Sequence, residues 1–286
     1  MSLLIADGAR GLWLWQSALG QMTDIPCPLP CPCMPCVTRD HILCACRVQN
    51  DCRRLGRRSL RDEGGFPALP GLSAMCASRC GRYLYQLSGD ADCAHVRHIG
   101  TGDLLYGRKL GVFPSDMRLS ADGGTLLVAG GAGGEGFLLR APELTDVRAF
   151  RTPGVCRSAD FWRDGLVIVC AVEEDGIRTA VMTLAPGRPR PAELMRLDGQ
   201  PGQVRVCPDG LTALVGTLEG LMRIHLVTGR VLWNLPQYPL CGCVQCLGGF
   251  AVCCDGLADV AAHFDLEHPW LRQELRASAS AQACFF

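Results

Sequence analysis

The chain has 286 residues, of which 48% are hydrophobic and 20% are charged, and this composition excludes global disorder. Lys and Arg together number 28, as do Asp and Glu, so no net charge draws the chain to nucleic acid or to an acidic membrane surface. No apolar run approaches the ~20 residues that a membrane-spanning helix needs. We therefore expect a globular protein with neither a nucleic-acid nor a membrane partner.

The use of cysteine indicates a compartment. The sequence contains 19 cysteines, an odd number, and they are spread over the whole chain. Because so many thiols would mispair in an oxidising compartment, we predict a reducing, cytoplasmic location. The first residues carry no basic leader, and Asp7 comes too early for the apolar region of a secretion signal.

A phrase made of a short strand, a tight turn and a second strand recurs along the chain. It is clearest where Asp122-Gly123 separates two β-rich runs, Met117 to Ser120 and Thr125 to Ala129, because glycine accepts the positive φ of such turns. Intervals of 39 to 45 residues separate the equivalent turns, as in blade repeats, and no helical period interrupts them. These turns fall at Asp40, Cys80, Asp122, Asp164, Asp209 and Gly248.

A proline precedes the first strand of each unit, and proline is expected in the loop before a strand because it cannot donate to a central ladder. These leading prolines are Pro30, Pro70, Pro114, Pro153, Pro201 and Pro239. Two stretches interrupt the rhythm of the units. Ala185 to Pro191 resembles an extended surface loop, and Arg53 to Pro70 is poor in strand signals, so we expect a degraded outer strand in that blade.

The two ends of the chain together supply one further unit. Ser2 to Ala6 matches the second strand Thr125 to Ala129 but has no first strand before it, and Ser280 to Phe286 is a first strand with nothing after it. We predict that these two segments pair and close a ring, which leaves only short, protected strand edges. The sequence thus predicts one all-β domain over residues 1–286, a seven-bladed β-propeller of four-stranded antiparallel blades.

Two phrases of the sequence resemble the YVTN-type repeat of bacterial seven-bladed propellers. One is Leu119 to Gly123 together with Leu126 to Ala129, and the other is Val227 to Val231. The YVTN tetrapeptide itself is absent, and so is the Trp-Asp signature of WD repeats. The resemblance implies a fold, and this fold carries many functions.

Cysteine is the first candidate for chemistry. Two groups share the spacing C-x-C-x2-C, and Cys27 adds a fourth thiol to the first group. Thiolates at such spacings bind zinc or an iron–sulfur cluster, but buried cysteine also packs as a small hydrophobic residue, and a disulfide is a third alternative. The candidate metal ligands are Cys31, Cys33, Cys36, Cys241, Cys243 and Cys246.

Arginine is the second candidate. Arg118, Arg157 and Arg205 each lie four residues after a leading proline, on first strands that are innermost in a propeller. Their guanidinium groups at one mouth of the channel would bind a carboxylate or phosphate. Asp116 and Asp160 are close in sequence and would instead make a structural ring of ion pairs, so both interpretations stay open.

The spacing to the turns separates the three arginines. Arg118 and Arg205 lie four residues before Asp122 and Asp209, whereas Arg157 lies seven residues before the turn at residue 164, which suggests an insertion. Either Arg157 or the aspartate at position 160 then occupies the level of the other two arginines.

Known catalytic motifs are missing, since the sequence has no GxSxG, Walker, HExxH or dinucleotide-binding pattern. We therefore expect a monomeric, non-enzymatic scaffold that binds a partner protein or a small anion at the channel mouth beside the leading loops, without a cofactor. One alternative is a lactonase-like propeller hydrolase, whose channel metal needs carboxylates and Asn or His from several blades. Another alternative is a thiolate protein that binds zinc or an iron–sulfur cluster.

Overall fold

The computed structural model contains 28 β-strands and describes residues 2–16, 19–239, 241–255, 259–277 and 281–286. The strands form seven four-stranded sheets, each of them antiparallel throughout. The predicted seven-bladed β-propeller is confirmed. Within the described ranges, the chain has no helix with the length and apolar character needed to span a membrane.

The strands are short and follow one another closely along the chain. In chain order they are β1 (Ser2–Asp7), β2 (Gly11–Gln16), β3 (Gln21–Ile25), β4 (Cys33–Val37), β5 (His41–Cys46), β6 (Asp51–Gly56), β7 (Asp62–Pro67), β8 (Leu72–Ala77), β9 (Tyr83–Ser88), β10 (Cys93–His98), β11 (Leu104–Lys109), β12 (Asp116–Leu119), β13 (Thr125–Gly130), β14 (Glu135–Arg140), β15 (Thr145–Arg151), β16 (Val155–Trp162), β17 (Gly165–Glu173), β18 (Ile177–Leu184), β19 (Ala192–Asp198), β20 (Pro201–Val206), β21 (Thr212–Thr217), β22 (Gly220–His225), β23 (Arg230–Leu235), β24 (Cys241–Leu247), β25 (Phe250–Asp255), β26 (Val260–Asp265), β27 (Arg272–Arg276) and β28 (Gln282–Phe285).

Each sheet is one blade, and in blades 2 to 7 the four strands follow one another in chain order from the inside outwards. Blade 1 has the order β28-β1-β2-β3, and blades 2 to 7 begin with β4, β8, β12, β16, β20 and β24. Every one of these first strands contacts the first strands of the two neighbouring blades. The seven first strands therefore surround the axis and line a central channel.

Ring closure between the two ends of the chain is as predicted. Strand β28 pairs antiparallel with β1, with Leu4 opposite Cys284 and Ala6 opposite Gln282. Ser280, the first residue of the predicted strand, lies outside the described residues. The carboxyl-terminal strand thus becomes the innermost strand of the blade that the amino terminus begins.

The turns after the first strands explain why the phrase recurs. In blade 4 the backbone N–H of Gly123, at a φ of 75°, donates to the carbonyl of Ser120 at 2.9 Å. The Asp122 carboxylate accepts the N–H of Gly124 at 3.0 Å. Glycine after aspartate lets the chain reverse within a few residues, and all six predicted turns separate a first strand from a second strand.

The expectation of a degraded outer strand in blade 2 is wrong. Strand β7 (Asp62–Pro67) pairs with β6 although it has little apolar alternation. Arg53 of β6 makes an ion pair with Asp62 of β7 at 3.5 Å, and another with Asp51 of its own strand at 3.0 Å. The leading proline Pro201 also differs from expectation, since it is the first residue of β20 rather than part of the loop, a position where its missing N–H is tolerated.

Apolar side chains pack between the blades rather than in one central core. Seven clusters of buried residues each join two neighbouring blades, as where Val167 and Val169 of blade 5 meet Val204 and Val215 of blade 6. Cysteine is common in these clusters, and Cys52 and Cys170 are fully buried. Burial raises the pKa of Cys170 to about 11, so this thiol packs as a neutral, small apolar side chain.

Candidate ligand site in the central channel

One residue of each first strand lies at the same level of the channel. In every blade it pairs with the third residue of the second strand, so the seven positions are equivalent by register. From blade 1 to blade 7 these residues, here called the channel ring, are Cys284, Cys36, Cys76, Arg118, Asp160, Arg205 and Gln245. Blades 1 to 3 supply thiols, and blades 4 to 7 supply charged and amide side chains.

The structure resolves which residue of blade 5 occupies the ring. The register of β16 shifts between Cys156 and Ser158, so Arg157 is the extra residue of a β-bulge, and its side chain is exposed. Asp160 therefore has the position equivalent to Arg118 and Arg205. The insertion inferred from the spacing is this bulge.

Arg205 and Asp116 form a buried ion pair across the channel. The guanidinium donates from Nη1 to Oδ2 at 2.8 Å and from Nη2 to Oδ1 at 3.1 Å, and both side chains are at most 7% exposed. Ser158, from the blade between them, donates to Asp116 Oδ2 at 2.5 Å and accepts from Arg205 Nη1 at 3.0 Å. A bidentate Arg–carboxylate pair with a bridging hydroxyl ties three consecutive blades together.

Arg205 also has a buried Nε without a described partner, but its terminal nitrogens bond to Asp116, whereas no ion pair with a described residue is formed by Arg118. The Nε and Nη2 atoms of Arg118 are buried, and neither has a hydrogen-bond partner among the described residues. The Asp160 carboxylate accepts the backbone N–H groups of Phe161 at 2.9 Å and Val206 at 2.8 Å. Asp160 thus bonds to backbone donors, and the Arg118 guanidinium keeps unused donor capacity.

Arg118 lies at the wall of a cavity in the channel. The cavity has a volume of about 70 Å³. Since one water molecule needs ~10–15 Å³ of such space, the cavity has room for a few waters or for a small anion. Apart from Arg118, Arg205 and Asp116, its polar wall consists of Ser73 and the amides of three blades, Gln203, Gln245 and Gln282. Gln203 is itself held in place, because its Oε1 accepts the N–H of Val244 at 3.0 Å.

The pKa of Asp160 depends on burial and on the charged groups around it. Burial raises the pKa of Asp160 to about 6, although the Arg118 charge and the two backbone N–H groups oppose that shift. The Asp116 charge raises the Asp160 pKa further. Burial raises the pKa of Asp116 as well, and the Arg118 charge and the Ser158 hydroxyl oppose that shift. The Asp160 carboxylate therefore takes up a proton on mild acidification.

We expect Asp160 to make the folded state less stable as pH rises through about 6. The carboxyl pKa is higher in the folded protein than its ordinary value of 3.8, so the cost of ionising the buried group is absent below about 4 and complete above about 6. The difference between 3.8 and about 6 corresponds to up to ~3 kcal/mol of stability. Urea unfolding of the protein and of Asp160→Asn at a series of pH values gives two stabilities at each pH. Their difference measures the cost of ionising Asp160. A stability difference that stays constant between pH 4 and 7 would contradict the assignment.

The structure separates the cysteines of the first predicted metal group. Cys31 packs at the interface of blades 1 and 2, whereas Cys33 and Cys36 belong to the cluster between blades 2 and 3. Cys36 donates to the carbonyl of Met75 at 3.3 Å, as a packed thiol does. These thiols therefore face two different interfaces instead of converging on one ion.

The second predicted metal group is described only in part. The backbones of Cys241 and Cys243 lie in β24, but their side chains are outside the described part of the structure. Cys246 packs beside Cys207 between blades 6 and 7. A hydrogen bond between these two thiols lowers the pKa of Cys207 and raises the pKa of Cys246. Among the described residues, no three or more His, Cys, Asp or Glu side chains form a group that could hold a metal ion.

Sequence reasoning missed Ser158 and the three glutamines. Ser158 lies two residues before Asp160, as Asp116 lies two residues before Arg118, and this shared phase is a signal that the sequence contains. Gln245 also lies five residues before Phe250, as Asp160 lies five before Gly165, at the start of the second strand. A neutral serine or glutamine at this position has no charge pattern that would single it out in the sequence.

No protein-family model matches the sequence, and no curated protein matches it significantly. Among solved structures, a chain of hydrazine synthase from Kuenenia stuttgartiensis is similar, with a TM-score of 0.72 and 16% sequence identity. The similarity covers 86% of this chain and 79% of that chain. At this level of identity the similarity shows the fold alone, and the chain is thus similar to a known protein in its β-propeller architecture.

Proposed function

We propose that the protein is a non-enzymatic scaffold whose central channel binds a small anion at Arg118. The observation that carries this proposal is the pair of buried donors, Nε and Nη2, that lack an acceptor. A buried donor without an acceptor costs about 1–3 kcal/mol, more when it is charged. An anion in the adjoining cavity would remove this cost once the guanidinium turns towards it.

The surroundings of the other two arginines indicate which arginine is available to bind an anion. Arg205 directs both terminal nitrogens to Asp116, so it stabilises the channel and is not available to a ligand without loss of that pair. Arg157 is exposed on its bulge. Of the three arginines considered from the sequence, Arg118 is the one whose position favours ligand binding inside the channel.

The size and lining of the cavity favour a small anion that carries a single carboxylate or phosphate group. A cavity of about 70 Å³ has room for one carboxylate or phosphate group, but not for an anion that carries bulky substituents on both sides of that group. The amides of Gln245 and Gln282 offer additional donors to the oxygen atoms of such a group. A metal-dependent hydrolase is less well supported, because the described lining contains no histidine or asparagine.

Thermal unfolding in the presence of small anions tests the proposal. At constant ionic strength, acetate, succinate, phosphate or sulfate at 100 times its Kd should stabilise the protein by ~2.7 kcal/mol, a rise of several degrees in Tm. Arg118→Met should abolish that rise. Arg157→Met is the matched control, since it removes an exposed arginine and should leave the rise unchanged. Equal stabilisation of the Arg118→Met variant by every anion would refute binding at Arg118.

A further inference from the structure

Two cysteines outside the channel lie in direct contact. Cys27 is in the loop between β3 and β4, and Cys44 is in β5, the second strand of blade 2. Their Sγ atoms are 3.5 Å apart although 17 positions separate them in the sequence. A disulfide needs an S–S distance of ~2.05 Å, so the bond requires the two sulfur atoms to approach each other from this contact.

The two thiols have different surroundings. Cys27 is partly exposed, whereas Cys44 is fully buried. A hydrogen bond with Cys44 lowers the pKa of Cys27 to about 7, against the effect of burial, and the backbone at Leu29 lowers it further. Of the nearby charges, Arg53 lowers this pKa and Asp62 raises it. Cys27 is thus the thiol that solvent can reach, and its lowered pKa makes it the one of the two that ionises more readily.

We propose that Cys27 and Cys44 form a peroxide-sensitive modification site that closes into a disulfide. The Cys27 thiolate attacks one oxygen of hydrogen peroxide or an organic hydroperoxide, which breaks the O–O bond, gives a sulfenic acid and releases hydroxide or alkoxide. The Cys44 sulfur then attacks the Cys27 sulfur and forms the S–S bond, and its proton leaves with the hydroxyl group as water. Two thiols are oxidised, and one peroxide is reduced.

Cys80 provides an internal comparison for this chemistry. It is exposed, and a hydrogen bond with Ser78 at 3.3 Å lowers its pKa. None of the described cysteines lies within hydrogen-bonding distance of Cys80. Peroxide should therefore leave Cys80 as a sulfenic acid that can be trapped, whereas Cys44, whose sulfur is 3.5 Å from that of Cys27, should consume the sulfenic acid of Cys27.

The disulfide would act on the structure of blade 2. The loop at residues 26–32 leads into β4, and β5 is the neighbouring strand towards the outside of the blade. A covalent bond between them closes a short loop, which restricts the unfolded chain. Oxidation should therefore raise the Tm of the protein, unless the bond strains the native blade.

The experiment uses the full chain and hydrogen peroxide as the probe. Reduced protein receives a limited excess of peroxide together with a dione reagent that traps sulfenic acids. Remaining thiols are alkylated, and the protein is digested with trypsin without reductant. We expect a cross-linked peptide pair, residues 11–39 with residues 40–47, whose fragment masses place the bond between Cys27 and Cys44, and, of Cys27 and Cys80, dione on Cys80 only.

Three variants test whether Cys44 is the thiol that reacts with the sulfenic acid of Cys27. In Cys44→Ala the dione should also label Cys27, because nothing is left to consume its sulfenic acid. Cys31→Ser and Cys46→Ala are matched controls, a loop thiol and a buried β5 thiol on the same two peptides, and both should keep the Cys27–Cys44 bond. The proposal would be overturned if peroxide treatment of the protein without substitutions put dione on Cys27 or gave no cross-linked peptide.

Discussion

Replacing Arg205 with Met is expected to lower the free energy of unfolding by about 3–5 kcal/mol. The substitution keeps most of the side-chain volume but leaves the Asp116 carboxylate, which is 5% exposed, without its guanidinium partner. A buried charge without a partner is costly because the low dielectric of the interior replaces its hydration. Urea unfolding at neutral pH measures the change.

Two further variants separate the ion pair from general damage to the channel. In the double variant Asp116→Asn with Arg205→Met, the carboxylate charge is gone and the Ser158 hydroxyl keeps an acceptor, so most of the lost stability should return. Arg157→Met removes an exposed arginine of the neighbouring strand and should change stability by less than ~0.5 kcal/mol. Equal loss in the single and double variants would show that the pair contributes no coupling.

Deleting Ala281 to Phe286 should destabilise the protein more than any single substitution. The deletion removes β28, which pairs with β1 along four residues and contacts the first strands of blades 2 and 7. Without it, the edge of β1 and the apolar cluster around Leu3 and Ile5 are open to solvent. We expect loss of the cooperative thermal transition near the Tm of the full chain, together with self-association in size-exclusion chromatography.

A truncated protein that melts as the full chain does and stays monodisperse would show that the ring does not depend on this strand. The deletion is informative because β28 supplies a whole inner strand, whereas the loss of an outer strand leaves the channel intact. Its residues also include Cys284, a member of the channel ring, so the same variant tests whether the ring needs all seven strands.

Local signals were enough to predict most of the fold. The Asp-Gly turns at Asp122 and Asp209 set the start of each second strand, because short hairpin turns depend on a few residues. Counting back from these turns put Arg118 and Arg205 in the same phase, and the register confirms it. Closure of the ring followed from two orphan strands, since a blade lacking its first strand needs one from elsewhere in the chain.

Contacts across the channel could not be predicted in this way. Arg205 and Asp116 are 89 positions apart, and their pairing depends on the curvature of the ring and on the length of each side chain. The spacing around Arg157 predicted an insertion but not its form, because a β-bulge has no fixed residue signature. The contact between Cys27 and Cys44 arises from the path of a proline-rich loop over blade 2, which no pattern of strands specifies.

The measurement that tests anion binding most directly is the arginine side-chain NMR spectrum of the protein labelled with ¹⁵N at Nε. The Nε–H cross-peak that disappears in Arg118→Met belongs to Arg118, and this buried donor has no acceptor within the described part of the chain. We expect that cross-peak to shift saturably as the stabilising anion is added, while the cross-peak lost in Arg157→Met stays in place. An Arg118 cross-peak that does not move at an anion concentration that raises the Tm would contradict binding at this site.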